Sequence, residues 1–118
     1  MSIDKNYYTI AGFDLTEYRT DKYEDWRWTE DGERFSCYQR KGAVQLFDDP
    51  MSGDYLYLGY IFGNGDQYDF SATKFVAADI ITVYPEVCTA LKYLKGIGVV
   101  AEVPEDITYG VIVFEECT

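Results

Sequence analysis

The sequence predicts an α+β fold: an antiparallel β-meander of about five to seven strands packed against one or two short helices. Three observations predict it. Aromatic residues make up 18% of the chain, with 12 Tyr and 7 Phe, and aromatics favour the pleated, half-buried surface of a sheet. Short apolar runs over the first part of the chain alternate with period two, between turns rich in Gly, Asn and Asp. After Lys74 the apolar period lengthens to three and four, as on a helix. The 118 residues amount to a single acidic domain, 1–118, large enough for one core.

The elements follow in order. Asn6 to Phe13 reads as a strand, with Tyr7, Tyr8, Ile10 and Phe13 around Gly12. Asp14 to Asp25 reads as irregular, anchored by Tyr18, Tyr23 and Trp26. Trp26 and Trp28 alternate around Arg27, the pattern of a strand. Thr29-Glu30-Asp31-Gly32 is a turn signal, and Glu33 to Gln39 alternates again. Arg40-Lys41-Gly42 reads as a tight turn and Ala43 to Phe47 as a short strand. Asp48 to Asp54 forms a loop. Tyr55 to Phe62 is the strongest strand, and Gly63-Asn64-Gly65-Asp66 carries the Asn-Gly hairpin signal before a return over Gln67 to Phe70. With strict alternation, Leu56, Leu58, Tyr60 and Phe62 form the core face, leaving Tyr55, Tyr57 and Ile61 on the other.

A short helix begins near Ser71 or Thr73, weakened by the β-branched run Ile80-Ile81-Thr82-Val83. Pro85 suits the first position of a second helix. Tyr84, Val87, Cys88, Leu91 and Leu94 share its apolar face, and Gly96 suits its C-cap. Val99 to Val103 reads as a strand, Pro104 to Thr108 as a turn, and Tyr109 to Phe114 as a buried strand.

Charge narrows the function. Twenty-one acids oppose ten bases, giving −11. Such a surface repels nucleic acid and anionic membranes and attracts basic proteins; the plainer reading is that it keeps a small protein in solution. The charge is also patterned. Residues 34–42 hold Arg34, Arg40 and Lys41 and no acid. Residues 43–73 hold Asp48, Asp49, Asp54, Asp66 and Asp69 and no base.

The residues argue against an enzyme. The chain has no histidine, which removes the commonest general base and metal ligand. No P-loop or dinucleotide-binding fingerprint occurs. Cys37, Cys88 and Cys117 lack the spacing of a zinc site. Cys37 and Cys88 read as small buried hydrophobes and Cys117 as an exposed thiol. The loop of Asp48, Asp49 and Asp54 departs from the EF-hand pattern through Pro50 and Met51, and reads as a turn. No catalytic residue, metal or cofactor is expected. The odd cysteine count, the absence of a secretion signal from Met1 to Tyr8 and the lack of a membrane-length apolar run point to a cytoplasmic protein.

The base-free stretch carries the binding expectation. Alternate residues on a strand face stand roughly 6.6 Å apart, close to the spacing of phosphates along a nucleic-acid backbone. An acidic sheet face can therefore enter a basic groove built for DNA or RNA, where Arg and Lys pair with carboxylates as with phosphates. Tyr55, Tyr57, Tyr60 and Tyr68 lie among these acids, and Tyr is enriched at interfaces. The expected partner-binding residues are Asp48, Asp49, Asp54, Tyr55, Tyr57, Asp66 and Asp69.

Three segments resemble small, uncharacterised acidic proteins of phages and integrated elements of Gram-positive bacteria. They are Trp26-Arg27-Trp28-Thr29-Glu30-Asp31-Gly32-Glu33, the run from Gln45 to Leu56, and Val113-Phe114-Glu115-Glu116-Cys117-Thr118. The resemblance gives no residue a role. It implies an inhibitor of host defence, of the anti-CRISPR or anti-restriction type and working as a DNA mimic, placed in the host cytoplasm. A minor virion or assembly protein is the alternative, and a small carboxylate-dependent enzyme or ligand carrier a further one.

Overall fold

The computed structural model describes residues 5–36, 42–48, 55–66 and 76–117. Along the chain these form β1 (Lys5–Asp14), a 3-10 turn (Thr16–Tyr18), α1 (Tyr23–Arg27), α2 (Glu30–Ser36), β2 (Val44–Asp48), β3 (Leu56–Asp66), α3 (Ala77–Gly96) and β4 (Gly110–Cys117). The α+β class and the antiparallel pairing are as expected. The described residues give a four-stranded sheet of order β2-β3-β1-β4, with fewer strands than expected. It is not a simple meander, because β1 lies between β3 and β4.

Alternation along the strands separates two apolar faces. On one, Phe13 of β1, Leu46 of β2 and Leu56 and Leu58 of β3 join Leu15 and Tyr23, and α3 covers them with Val87, Leu91 and Leu94. On the other, Tyr8, Ile10, Phe47 and Ile61 form a second buried cluster, edged by Tyr55, Tyr57, Ile112 and Phe114. The expected split of β3 therefore holds from Tyr55 to Ile61, but both faces are apolar. Beyond Ile61 a bulge intervenes: Ile10 pairs with Ile61 while Thr9 pairs with Gly63, leaving Phe62 as the extra residue.

The Asn-Gly hairpin does not form. Gly63 to Asp66 stay in β3 and pair with Thr9 to Asn6, so the long partner strand outweighs the local turn preference. The return over Gln67 to Phe70 and the helix start at Ser71 or Thr73 lie outside the described residues. Toward the C-terminal end of β1 in the β1–β3 pair, Gly12 faces Gly59. A Cβ on Gly12 would collide with the Leu58 carbonyl, so only glycine permits this approach.

Two expected strands are helices. Trp26 lies in α1, and most of Glu33 to Gln39 falls in α2; residues 37–39 lie outside the described residues. Thr29 opens α2 as its N-cap: its Oγ1 accepts the Gly32 N–H at 3.2 Å and donates to the Trp26 carbonyl at 2.6 Å. Glu30, Asp31 and Glu33 occupy the first turn, where the helix dipole favours acids. What reads as a turn in sequence is thus a helix start.

α3 is one helix of 20 residues with Pro85 inside, rather than two helices divided there. Proline removes one N–H from the ladder. Beside this break the Tyr109 hydroxyl donates to the Ile80 carbonyl at 2.6 Å. Asp79 reaches back to accept the Val76 N–H at 2.9 Å, which fixes the N-terminus. At the other end Gly98, at φ +84, follows Ile97. Its N–H reaches the Lys95 carbonyl, and the Val99 N–H reaches that of Leu94. This is a Schellman motif, so Gly98 and not Gly96 is the terminating glycine.

Val99 to Val103 form no strand beyond a single bridge between Val100 and Arg19. β4 is an edge strand rather than a buried one: Val113 is 71% exposed and Val111 42%. Among the described residues, no helix is long and apolar enough to cross a membrane.

Candidate functional site

A cleft of about 620 Å³ opens where β1 ends and β3 begins. Its first wall comes from pairing that the sequence dictates locally. Asp14 closes β1, and its Oδ1 accepts both the Thr16 N–H at 3.0 Å and the Thr16 hydroxyl at 2.5 Å. The same Thr16 oxygen accepts the Leu56 N–H at 3.1 Å, and the Leu15 N–H reaches the Leu56 carbonyl at 2.8 Å. These bonds tie the start of β3 to the end of β1 and place Tyr57 opposite Asp14.

The floor is aromatic. Tyr55, just before β3, and Tyr57, two residues on, stack with ring centroids 4.8 Å apart and planes 15° from parallel. Phe114 of β4 braces both, edge-on to Tyr57 at 5.0 Å and tilted to Tyr55 at 5.9 Å. Phe114 itself rests on Phe47 and Tyr8 of the second cluster. Burial raises the Tyr57 phenol above its ordinary pKa, and the negative charge of Asp14 adds to this.

The second wall is the loop after α3. Pro104, Asp106 and Ile107 line the cleft there, in a turn closed by the Ile107 N–H on the Pro104 carbonyl at 3.1 Å. The Ala101 N–H on the Tyr18 carbonyl, at 2.8 Å, roots this loop beside the 3-10 turn that supplies Glu17. Three carboxylates, Asp14, Glu17 and Asp106, thus share the cleft with two stacked phenols. No Lys or Arg lines it among the described residues. Acidic and aromatic side chains lining one cleft suit a cationic group rather than an anionic one.

The expected site residues separate. Tyr55 and Tyr57 meet in this cleft, half-buried rather than fully exposed. Asp48 does not join them and is corrected as a contact residue. It is 5% exposed and lies on the helix-covered face, where Arg27 meets its carboxylate at 2.7 Å. Tyr23, fully buried, donates its hydroxyl to the same carboxylate. Burial raises the Asp48 carboxyl from its usual range, and Arg27 and the Tyr23 hydroxyl oppose that rise. Asp48 is thus a buried tether between β2 and α1. Asp49, Asp54 and Asp69 lie outside the described residues. Asp66 ends β3 opposite Asn6.

Sequence reasoning did not select Asp14, Glu17 or Asp106. Asp14 carried the one local signal, an acid closing a strand two residues before a threonine that can bond to it. Glu17 and Asp106 had none, because only the tertiary fold brings their segments together. Among the described residues no group of three or more Cys, Asp or Glu is placed to hold a metal ion, and Cys88 is a free thiol, half-buried on α3. No protein-family model, no curated protein and no solved structure matches this chain.

Proposed function

We propose that the protein is a non-catalytic inhibitor that binds a basic, nucleic-acid-processing protein, with the acidic, tyrosine-floored cleft as an anchor for the partner's cationic side chains. The observation that carries this reading is the cleft itself. Asp14, Glu17 and Asp106 line it together with a stacked tyrosine pair and without a lining base among the described residues, on a chain of net charge −11. The chain's field draws a basic partner in, and the cleft supplies shape and aromatic contact at the end of that approach. A target of the RNA-guided nuclease or restriction type fits, since its groove holds Arg and Lys spaced for phosphates. Of the acids expected over residues 48–69, Asp48 is engaged inside, and the acids that support binding here are Asp14, Glu17 and Asp106.

The test is a pull-down from host lysate with the purified protein, washed at low and at high salt. The expected outcome is a nucleic-acid-processing protein retained at low salt and released at high salt, because screening weakens charge pairing. Retention unaffected by salt would contradict the reading.

A second reading, a minor assembly protein of a phage particle, is favoured by β4. Among the described residues its outer edge pairs with no strand, and Val113 stands exposed on it, the form of edge that recruits another strand. Sedimentation separates the two: salt-insensitive self-association supports assembly, whereas a monomer supports the inhibitor.

A further inference from the structure

We propose that the cleft selects the guanidinium of an arginine over the ammonium of a lysine on its partner; this deepens the binding reading above and rests on it. Two features of different kinds point to the same ligand. The first is charge. Asp14, Glu17 and Asp106 line one cleft of about 620 Å³ with no lining base among the described residues, a size in the range of small-ligand sites. Carboxylates alone would take either cation. The second is the aromatic floor. The Tyr55 and Tyr57 rings lie 15° from parallel at 4.8 Å and are braced from the side by Phe114. An ammonium is compact and strongly hydrated. A guanidinium is planar and more weakly hydrated, stacks on aromatic faces and meets carboxylates with a two-pronged fork. A site offering phenol rings beside carboxylates therefore discriminates between the two cations, where a purely acidic patch would not.

Two parts of the site are held before binding. The Asp14 carboxylate is held by two hydrogen bonds from Thr16, and the tyrosine pair by the cluster around Phe114. These parts need little ordering when the ligand arrives, which favours affinity.

Two short capped peptides of equal length and charge, one carrying arginines and the other lysines, test the proposal by calorimetric titration against the whole protein at low salt. The arginine peptide is expected to bind about fivefold or more tightly than the lysine peptide. Tyr57→Leu, which keeps apolar bulk but removes the ring, is expected to bring that ratio close to one, and Tyr57→Phe to preserve it. Glu17→Gln with Asp106→Asn is expected to weaken both peptides alike. Tyr55→Leu repeats the ring test should Tyr57→Leu fail to fold, as judged by circular dichroism. Equal affinity for the two peptides, or a ratio that survives loss of the ring, would overturn the arginine preference and leave the acidic binding site standing. Absence of binding by either peptide would overturn both.

Discussion

Asp48 shows how far a residue's place in the fold can part from its place in the charge count. It sits in a stretch without a single base, yet its partners come from α1. The Arg27 guanidinium meets it at 2.7 Å with side-chain exposures of 14% and 6%. Removing one member of a buried pair strands the other, so Asp48→Ala is expected to lower unfolding stability by about 3–5 kcal/mol. Replacing both members together, as Arg27→Met with Asp48→Leu, is expected to recover most of that loss; chemical denaturation measures each. The pH response follows from the direction of the shift. Burial raises the Asp48 carboxyl, so the folded chain holds a proton there more readily than the unfolded chain does. The resulting stabilisation is complete below the ordinary carboxylate pKa of about 4 and is lost as pH rises through the raised value. The stability of the wild type relative to Asp48→Asn is therefore expected to fall as pH increases from about 4. A rising or level difference would contradict the assignment.

At the scale of elements, the strands were legible where alternation and burial agreed. Ile10 against Phe13, and Leu56 and Leu58 against Tyr57 and Ile61, point to opposite faces, as their spacing implies. The first helices were not legible. Trp26-Arg27-Trp28 alternates like a strand, but Tyr23 and Trp26, three apart, turn inward on a helix while Trp28 is 71% exposed. Thr29-Glu30-Asp31-Gly32 has a composition that suits a turn and a helix N-terminus equally, and only the Thr29 cap decides between them. Thr29→Ala is expected to cost about 1 kcal/mol in thermal or chemical unfolding. Gly12 makes a stronger case, since any Cβ there strikes the Leu58 backbone. Gly12→Ala is expected to destabilise the β1–β3 pair by about 3 kcal/mol or more, or to prevent folding, which denaturation curves would show. The site divided in the same way. Tyr55 and Tyr57 stand two residues apart in the chain and could be chosen from sequence. Asp14 and Glu17 are near neighbours in the chain, but Asp106 reaches their cleft only through the loop after α3, which no local pattern encodes.

At the scale of the molecule, a net charge of −11 sets the approach to a partner and the cleft sets its grip. The two make different contributions. The overall field governs the association rate and fades with salt over about 10 Å at ordinary ionic strength. The cleft governs how long the complex lasts. The most direct measurement of the central claim therefore compares, on one matrix and at low salt, capture of the basic partner by the wild type and by the variant Glu17→Gln, Tyr57→Leu, Asp106→Asn. That variant still carries most of the acidity, and circular dichroism verifies that it is folded. Dissociation of the captured protein is expected to be at least about tenfold faster from the variant. An unchanged dissociation rate, with the fold intact, would contradict the cleft as the anchor.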